Sequence, residues 1–439
     1  MKLLRGHLPL AITLAGCASS ATPVARAPAA NRITACAVRE ISREKLSVED
    51  GLAMYVEPVA LESSGGDVLL AGAPNYLHRR VPGGRARHVP SDSLFGAVIA
   101  PDGSARTVRS PIPTKRLGSI RALGRGDGTW DVVFAELIPT ERSSPPDTAA
   151  RLWHGVYDGR RWTLMEPLPL PPNTWLHARD ASALVRHGDT LAWAVEGSTP
   201  GFNRDVVLFE RRSGRWSYEI VPTRGASYPV IAYSDSLGLL LAVVRADSKW
   251  GNPDSTRGGQ DGNSLFLYTR HPTWTISRRV AHGIHEPVDY PSLVRSGDNV
   301  VLTWRAETEG GAETRAVVNV LNGPPDQVVV VDSSIAGWRS GSSMVVPLGN
   351  HLWITRHAPP GGHSSELRFL RASPRGASAV GQLPSPFLSR FIATSVGPSD
   401  VLLTGTLEEF SREDPNRPDL VVSLLLRVRV TCDSRVTHP

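Results

Sequence analysis

The chain has 439 residues, of which 41% are hydrophobic and 21% are charged, a composition typical of a folded globular protein rather than a disordered one. Its formal net charge is +6, and almost all of the positive charge comes from arginines scattered singly among acidic residues. Because there is no run of like charge, the composition argues against nucleic acid as a partner. Beyond the N-terminal region, no segment is apolar for long enough to cross a bilayer as a helix.

The N-terminal region predicts an export signal followed by a tether. Two basic residues precede an apolar stretch at 8–14, which is the order of a secretory signal peptide. The sequence LAGC at 14–17 resembles the lipobox of bacterial lipoproteins, which implies that residues 1–16 are removed and that a lipid is attached to Cys17. The alternative is an ordinary cleaved signal that happens to contain a cysteine. Residues 17–30, rich in Ala, Pro and Ser, predict a flexible tether. We therefore expect an exported protein, held at the cell-envelope membrane by its lipid alone.

One pattern recurs along residues 31–439, which we predict to be a single domain. An apolar run meets a turn of Gly, Asp or Asn, and a second apolar run follows, which predicts a β-hairpin buried on both faces. Seven segments follow this plan: 59–72, 119–137, 180–197, 228–246, 290–307, 341–357 and 389–405.

Second hairpins lie between these, most clearly at 151–167, 205–222 and 263–280. Apolar and polar residues alternate in them, as expected of strands with one face in water. Two hairpins per repeat, inner then outer, predict an all-β fold, a β-propeller of four-stranded blades. We count seven blades, with six as the alternative because the first outer hairpin is short. We expect Trp193, Trp304 and Trp353, on second inner strands, to pack between blades.

The last blade lacks one strand in chain order, because only one apolar run follows the final inner hairpin. The segment 31–41 has strand character and no partner nearby, so we predict that it supplies the missing strand and closes the ring. Cys36 and Cys432 would then face each other on neighbouring antiparallel strands. Two thiols in an exported protein favour a disulfide, which would add roughly 4–5 kcal/mol in the chain-entropy model.

The loops that join hairpins and blades are expected on one face, around the central channel, where binding sites are common. Strand ends and starts on that face supply the candidate ligand-binding residues Arg179, Arg245, Arg305, Arg339, Arg356 and Arg390. Several guanidinium groups around one channel mouth predict a bidentate receptor for a carboxylate or a sulfate. The alternative is that each arginine is a solvated strand-end charge paired with its neighbour.

The stretch HGIHEPVDYPSLV at 282–294 gathers several chemically active residues. His282, His285 and Glu286 have a spacing that binds zinc on a helix, but a loop before a strand does not bring them together, so we predict no metal. No cofactor-binding motif is present either. Tyr228 and Tyr290 each precede a proline at equivalent places in two repeats, which favours packing over a nucleophilic role for Tyr290.

The outer hairpins resemble the Asp-box turns, Ser-x-Asp-x-Gly-x-x-Trp, of sialidase-like BNR-repeat propellers. Gly159 and Trp162 keep the spacing of that motif, and the next two hairpins keep its aromatic residue as Trp216 and Trp274. Sialidases bind the substrate carboxylate with three arginines and use a tyrosine with a glutamate partner and an aspartic acid. For these roles the resemblance implies Arg245, Arg305 and Arg356, with Tyr290, Glu286 and Asp289.

We expect a binding protein that uses long loops on one face to hold a glycan, another acidic ligand or a partner protein of the envelope. The alternative is a sialidase-type glycoside hydrolase. An enzyme needs a carboxyl or tyrosyl pair that converges at the mouth, whereas a binding protein needs only the arginines and the loops. A pure scaffold is the third hypothesis, since a fold does not decide a function.

Overall fold

The computed structural model describes residues 36–48, 52–79, 87–89, 94–112, 117–137, 149–198, 204–223, 225–246, 263–281, 288–296, 299–307, 313–321, 328–335, 343–348, 352–357, 365–373, 376–387, 391–410 and 418–432. Within these ranges the chain forms 31 strands in seven antiparallel sheets, which are the blades of a β-propeller. No helix that could cross a membrane occurs in this part of the chain. The expected signal peptide, tether and lipidated Cys17 lie outside the described residues.

The strands follow one another in chain order. Strand β1 (Cys36–Lys45) joins the last blade. Blade 1 contains β2 (Ser47–Val48), β3 (Leu52–Ser64), β4 (Asp67–Arg79), β5 (Arg87–Val89), β6 (Leu94–Ile99) and β7 (Ala105–Arg109). Blade 2 contains β8 (Leu117–Gly124), β9 (Trp130–Leu137), β10 (Ala149–Tyr157) and β11 (Trp162–Pro167). Blade 3 contains β12 (Trp175–Ala181), β13 (Val185–His187), β14 (Thr190–Ser198), β15 (Arg204–Arg212) and β16 (Arg215–Val221).

The remaining blades have four strands each. Blade 4 contains β17 (Ala226–Ser234), β18 (Gly238–Ala246), β19 (Asn263–Arg270) and β20 (Trp274–Ala281). Blade 5 contains β21 (Val288–Ser296), β22 (Asn299–Glu307), β23 (Glu313–Val320) and β24 (Val328–Ile335). Blade 6 contains β25 (Ser343–Val346), β26 (Leu352–His357), β27 (Glu366–Ser373) and β28 (Gly376–Pro384). Blade 7 contains β29 (Phe391–Ser395), β30 (Asp400–Phe410), β31 (Pro418–Cys432) and β1.

The predicted all-β propeller is confirmed. Each of the seven predicted inner hairpins forms the paired inner strands of one blade, so the count is seven and not six. The second inner strands are almost wholly buried, as in β14, whereas the outermost strand β16 of the same blade is mostly exposed. This difference follows from position, because inner strands are covered by a neighbouring blade on each face and outer strands are not.

The N-terminal strand pairs with the C-terminal strand, as predicted. Strand β1 runs antiparallel to β31, and Cys36 lies opposite Cys432 with 4.0 Å between their Cα atoms and a disulfide between their sulfurs. Strand β3 of blade 1 also contacts β29 and β31 of blade 7. One core cluster joins Leu61 of blade 1 to Leu425 of blade 7. The two ends of the described chain are therefore held in one sheet.

The apolar core lies between neighbouring blades. Trp193 packs in the cluster shared by blades 2 and 3, Trp304 in the cluster shared by blades 4 and 5, and Trp353 beside Val301 of blade 5. The predicted packing role of these tryptophans is confirmed. Because successive side chains of a strand point to opposite faces, alternate residues pack against the preceding and the following blade. This alternation decides which polar side chains meet near the strand ends.

Blades 1 and 2 also join through their hairpin turns. The hydroxyl of Ser64 accepts hydrogen bonds from the backbone N–H groups of Gly126, at 3.0 Å, and Gly128, at 3.1 Å. A Cβ atom on Gly124 would lie 2.0 Å from the backbone oxygen of Ser63. The close approach of two backbones therefore requires glycine at position 124.

Candidate functional site

In each blade the first inner strand begins, and the second inner strand ends, at the same end of the propeller. The connections from inner to outer hairpin and from one blade to the next lie at this end. We call this end the mouth. Several polar side chains and one tryptophan lie there in the interface between blades 3 and 4. We name them the blade 3–4 cluster: Trp175, His177, Glu196, Ser198, Arg204, Ser227 and Arg245.

Strand β14 contributes two members of the cluster. Trp193 and Val195 belong to the core shared with blade 2, whereas Ala194 belongs to the core shared with blade 4. Because side chains alternate along a strand, Glu196 and Ser198 face blade 4. The face of β14 that packs against blade 4 is therefore apolar in the core and ends at the mouth with a carboxylate and a hydroxyl group.

Strand β12 adds an aromatic residue and an imidazole to the same face. Leu176 packs toward blade 2, so its neighbours Trp175 and His177 face blade 4. The strand register places Trp175 opposite Ser198 and His177 opposite Glu196. Nε2 of His177 lies 2.9 Å from Oγ of Ser198, which fixes the imidazole across the two strands.

Arg204 begins β15 and is the register partner of Ser198. Its Nη1 lies 3.3 Å from Oε1 of Glu196 and donates a 3.2 Å hydrogen bond to Oγ of Ser227 in blade 4. The side chain of Glu196 is only 3% exposed, whereas that of Arg204 is 54% exposed. A buried carboxylate therefore holds one edge of a guanidinium group that remains largely open to solvent.

Arg245 enters the same interface from the other side. Val243 of β18 belongs to the core shared with blade 3, so Arg245, two residues later, also faces blade 3. Its guanidinium carbon lies 5.1 Å from the ring centroid of Phe266, a cation–π contact. Its register partner on β17 is Ala226, the residue before the Ser227 that Arg204 reaches. The sequence predicted Arg245 as a ligand residue but did not identify Arg204.

First strands carry a β-bulge near the mouth in three blades. The register shifts after Gly118, after Ser227 and after Asp289, so that two residues oppose one in each case. The predicted equivalence of Tyr228 and Tyr290 is visible in the backbone, because both lie within this bulge. Tyr228 has a φ of 53° and packs against the core between blades 4 and 5. The shared bulge and the packing of Tyr228 against the core favour the predicted packing role of Tyr290, whose own side chain is outside the described part of the structure.

Arg356 is a second predicted arginine with a described side chain. It lies on β26, and because Ile354 packs toward blade 7, Arg356 faces blade 7 as well. Its Nε donates a 3.1 Å hydrogen bond to Oγ of Ser365, and burial lowers the pKa of the guanidinium to about 10. Arg245 and Arg356 therefore belong to two different interfaces, between blades 3 and 4 and between blades 6 and 7.

Of the other predicted residues, some have a described backbone position and some lie outside the described residues. Arg179 lies in β12, and Arg305 lies in β22 opposite Asp289 of β21. The side chains of these residues and of Tyr290 are outside the described part of the structure. Glu286, Arg339 and Arg390 lie outside the described residues altogether, as do His282 and His285. Among the side chains that are described, no group of three His, Cys, Asp or Glu residues has the arrangement of a metal site.

The hairpin-turn end of the propeller holds a charged network between blades 2 and 3 that the sequence did not predict. Asp131, which is fully buried, accepts hydrogen bonds from Nε and Nη2 of Arg125, at 2.8 and 2.6 Å, and pairs with Arg186 of blade 3. Nε2 of the buried His154 lies 2.9 Å from the same carboxylate, and its Nδ1 lies 2.8 Å from Oε1 of Glu166. Both ring nitrogens of His154 thus face a carboxylate.

Glu166 carries this network outward to blade 3. Its Oε1 accepts hydrogen bonds from Nε of Arg211, at 2.7 Å, and from Nε1 of Trp216, at 3.0 Å. Burial acts to raise the pKa of Glu166, but hydrogen bonds from His154 and Arg211 and their charges lower it, and the net shift is downward. These contacts satisfy their own polar groups inside an interface between blades, so we expect the network to stabilise the fold rather than to form an open binding site.

No protein-family model matches the chain, and no curated protein matches it in sequence. Among solved structures, an ulvan lyase described as a polysaccharide lyase of a new family is 10% identical over 87% of this chain and 95% of its own, with a TM-score of 0.51. A protein of unknown function from Dyadobacter fermentans covers 90% of this chain and 99% of its own, at 10% identity and a TM-score of 0.47. The sialidase of Trypanosoma rangeli in complex with sialic acid is 12% identical over 87% of this chain and 59% of its own, with a TM-score of 0.42. At 10% identity, the likeness to the ulvan lyase concerns the fold alone.

Proposed function

We propose that this chain is an exported, lipid-anchored propeller of the cell envelope that binds an acidic glycan at the blade 3–4 cluster. The observation that carries the proposal is the pair of guanidinium groups in one interface at the mouth. Arg204 is oriented by the buried carboxylate of Glu196, and Arg245 is supported by the ring of Phe266. Arginines held in this way present fixed N–H groups to a carboxylate or a sulfate.

The charge of the cluster fits a ligand with one negative charge at the contact. Arg204 and Arg245 contribute two positive charges, and Glu196 contributes one negative charge, so these three side chains sum to +1. One carboxylate or one sulfate ester would neutralise that charge. Glu196 would then keep Arg204 in place while the exposed part of the guanidinium group binds the ligand.

Two further features support a glycan over other acidic ligands. The solved structure with a TM-score of 0.51 is a polysaccharide lyase. An anchor on Cys17 would place the propeller at the envelope surface, where acidic polysaccharides are encountered. The anchor is tested by growth with an alkyne-labelled fatty acid: the wild type should incorporate the label, and a Cys17→Ser variant should not. Equal labelling of both proteins would contradict the anchor.

The binding proposal is tested by calorimetry with the purified full-length protein. Uronic-acid tetrasaccharides should bind, and their carboxyl-reduced counterparts should bind much more weakly. Arg245→Gln should remove about 1.5–3 kcal/mol of binding free energy, or roughly 10- to 150-fold in affinity, because it removes a charge-assisted contact. Arg161→Gln, at an exposed turn of blade 2, is the matched control and should bind like the wild type. Equal affinity for the acidic and the reduced tetrasaccharides would contradict the proposal.

Glycoside hydrolysis of the sialidase type is the second candidate function. The buried arginine at the mouth of blade 6 favours it, because a buried guanidinium group can bind a substrate carboxylate strongly. The test is turnover of a fluorogenic sialoside by the wild type and by an Arg305→Ala, Arg356→Ala double variant. Turnover that disappears in the double variant would support hydrolysis, whereas no turnover by the folded wild type would exclude this substrate.

A further inference from the structure

We infer that Trp175 is a stacking platform for a pyranose ring, so that the blade 3–4 cluster binds a sugar and its acidic neighbour together. This inference rests on the proposed function and names its substrate class: a linear acidic polysaccharide in which a ring with an exposed C–H face lies next to a sugar that carries a carboxylate or a sulfate.

The exposure of Trp175 distinguishes it from other tryptophans on the inner strands. Trp130, Trp193 and Trp353 are fully buried between blades, whereas Trp175 is 37% exposed at the start of β12. An aromatic ring of this size gains free energy when its apolar face is covered. Its register partner Ser198 and the next residue on the same face of β12, His177, are both polar, so a ligand can cover the exposed part of the ring without displacing the core.

The strand register places this ring in line with the cationic group. Trp175 lies opposite Ser198, and Ser198 lies opposite Arg204, so the three residues form one row across β12, β14 and β15. Neighbouring strands are about 4.8 Å apart, which puts the backbones of Trp175 and Arg204 about 10 Å apart. This distance is on the scale of two linked sugar rings.

The middle of the row is polar. Ser198 lies between the ring and the arginine, and its hydroxyl lies 2.9 Å from Nε2 of His177, which follows Trp175 by two residues on β12. A hydroxyl and an imidazole at this position can bind the sugar hydroxyls that lie between an apolar ring face and an acidic group. An acidic peptide or a free anion would use the arginine but would leave this arrangement of ring and polar groups without a matching partner.

The experiment compares three ligands on the full-length protein: a uronic-acid tetrasaccharide, the free monosaccharide uronate, and inorganic sulfate. Trp175→Ala should lower the affinity for the tetrasaccharide by about three- to tenfold and leave the affinity for sulfate unchanged. Trp175→Phe should restore most of the loss. Tyr218→Ala is the matched control, since Tyr218 is 38% exposed but lies on the outermost strand of the same blade. Saturation-transfer NMR should show the strongest effects on the C–H protons of one ring face in the wild type, and these effects should disappear in Trp175→Ala.

The outcomes separate this inference from the proposal on which it rests. If the wild type binds the tetrasaccharide, and Arg245→Gln weakens binding while Trp175→Ala does not, the stacking platform is refuted and the acidic-glycan proposal stands. If the wild type binds none of the acidic sugars, both are refuted. If Trp175→Ala weakens sulfate binding as much as tetrasaccharide binding, the residue supports the fold of the mouth and does not stack on a sugar.

Discussion

Replacing Asp131 with asparagine tests whether the network between blades 2 and 3 stabilises the propeller. The carboxylate is fully buried and binds Arg125 through both oxygens, with His154 and Arg186 as further partners. An amide has the same shape but carries no charge, and it presents an N–H donor where Arg125 or Arg186 already donates. We therefore expect Asp131→Asn to fold as a propeller with a lower free energy of unfolding.

The magnitude follows from the contacts that are lost. Removing one partner of a buried charged network costs about 3–5 kcal/mol, because the remaining charges are left without compensation. Arg125 and Arg186 are each partly exposed, so water screens part of this cost. We therefore place the loss for Asp131→Asn near the lower limit, at about 3 kcal/mol.

The assay is urea unfolding of both proteins at neutral pH, followed by circular dichroism. Glu40→Gln is the matched control, because its ion pair with Arg43 on β1 is exposed and should contribute no more than about 1 kcal/mol. If Asp131→Asn loses less than about 1 kcal/mol, or no more than the control, the network does not stabilise the interface and the reasoning is refuted.

The dependence on pH gives an independent check. Burial acts to raise the pKa of Asp131, but hydrogen bonds from Arg125 and His154 and the charges of Arg125 and Arg186 lower it, and the net shift is downward. The unfolded chain then binds a proton more readily than the folded one, so the stabilisation is complete above the unfolded pKa, about 4, and is lost as the pH falls through the folded pKa. The difference between wild type and Asp131→Asn should therefore shrink as the pH falls from about 4 into stronger acid.

Three further changes test other parts of the fold by the same unfolding assay. The Cys36–Cys432 disulfide spans a sequence separation of 396, so in the chain-entropy model replacing both cysteines with serine should lower the free energy of unfolding by about 6 kcal/mol. A loss below about 1 kcal/mol would contradict the role of the disulfide. Gly124→Ala should lower the free energy of unfolding by about 1–3 kcal/mol, because its Cβ would lie 2.0 Å from a backbone oxygen. Gly397→Ala is the control, since its Cβ would have room and the free energy of unfolding should change little. Burial raises the pKa of Glu62 to about 8, and a backbone hydrogen bond from Gly124 of the neighbouring blade only partly offsets this effect. Because the folded protein holds this proton more tightly than the unfolded chain, the wild type should lose stability as the pH rises between about 5 and 9. Glu62→Gln should not show this loss, and parallel pH profiles would refute the shift.

Much of the fold could be predicted because the pattern of apolar residues in each hairpin indicates which of its faces are buried. Strands β14 and β18 are apolar over most of their length, since blades cover both faces, and turn residues separate them from their partners. The pairing of β1 with β31 could also be predicted, because one blade lacked a strand and one strand lacked a partner. A disulfide between the two cysteines then followed from that strand pairing.

The candidate site was predicted only in part. Arg245 was identified from its place at a strand end, but the same rule named Arg356, which faces a different interface. Arg204 and Trp175 were missed, since their importance depends on which face of a strand they occupy and on which residues lie opposite. A one-residue change in register would turn either side chain to the other neighbouring blade.

The sequence by itself predicted seven blades, with six as the alternative, and determined the order of the strands and the partner of the first strand, because local apolar periodicity and turn residues act within one hairpin. Only the tertiary structure decided which polar side chains meet. The interfaces between blades bring together residues far apart in the chain, such as Asp131 with Arg186 and Glu196 with Ser227 through Arg204. These contacts depend on the register of paired strands and on the face that each side chain occupies, and the sequence of one segment does not reveal either.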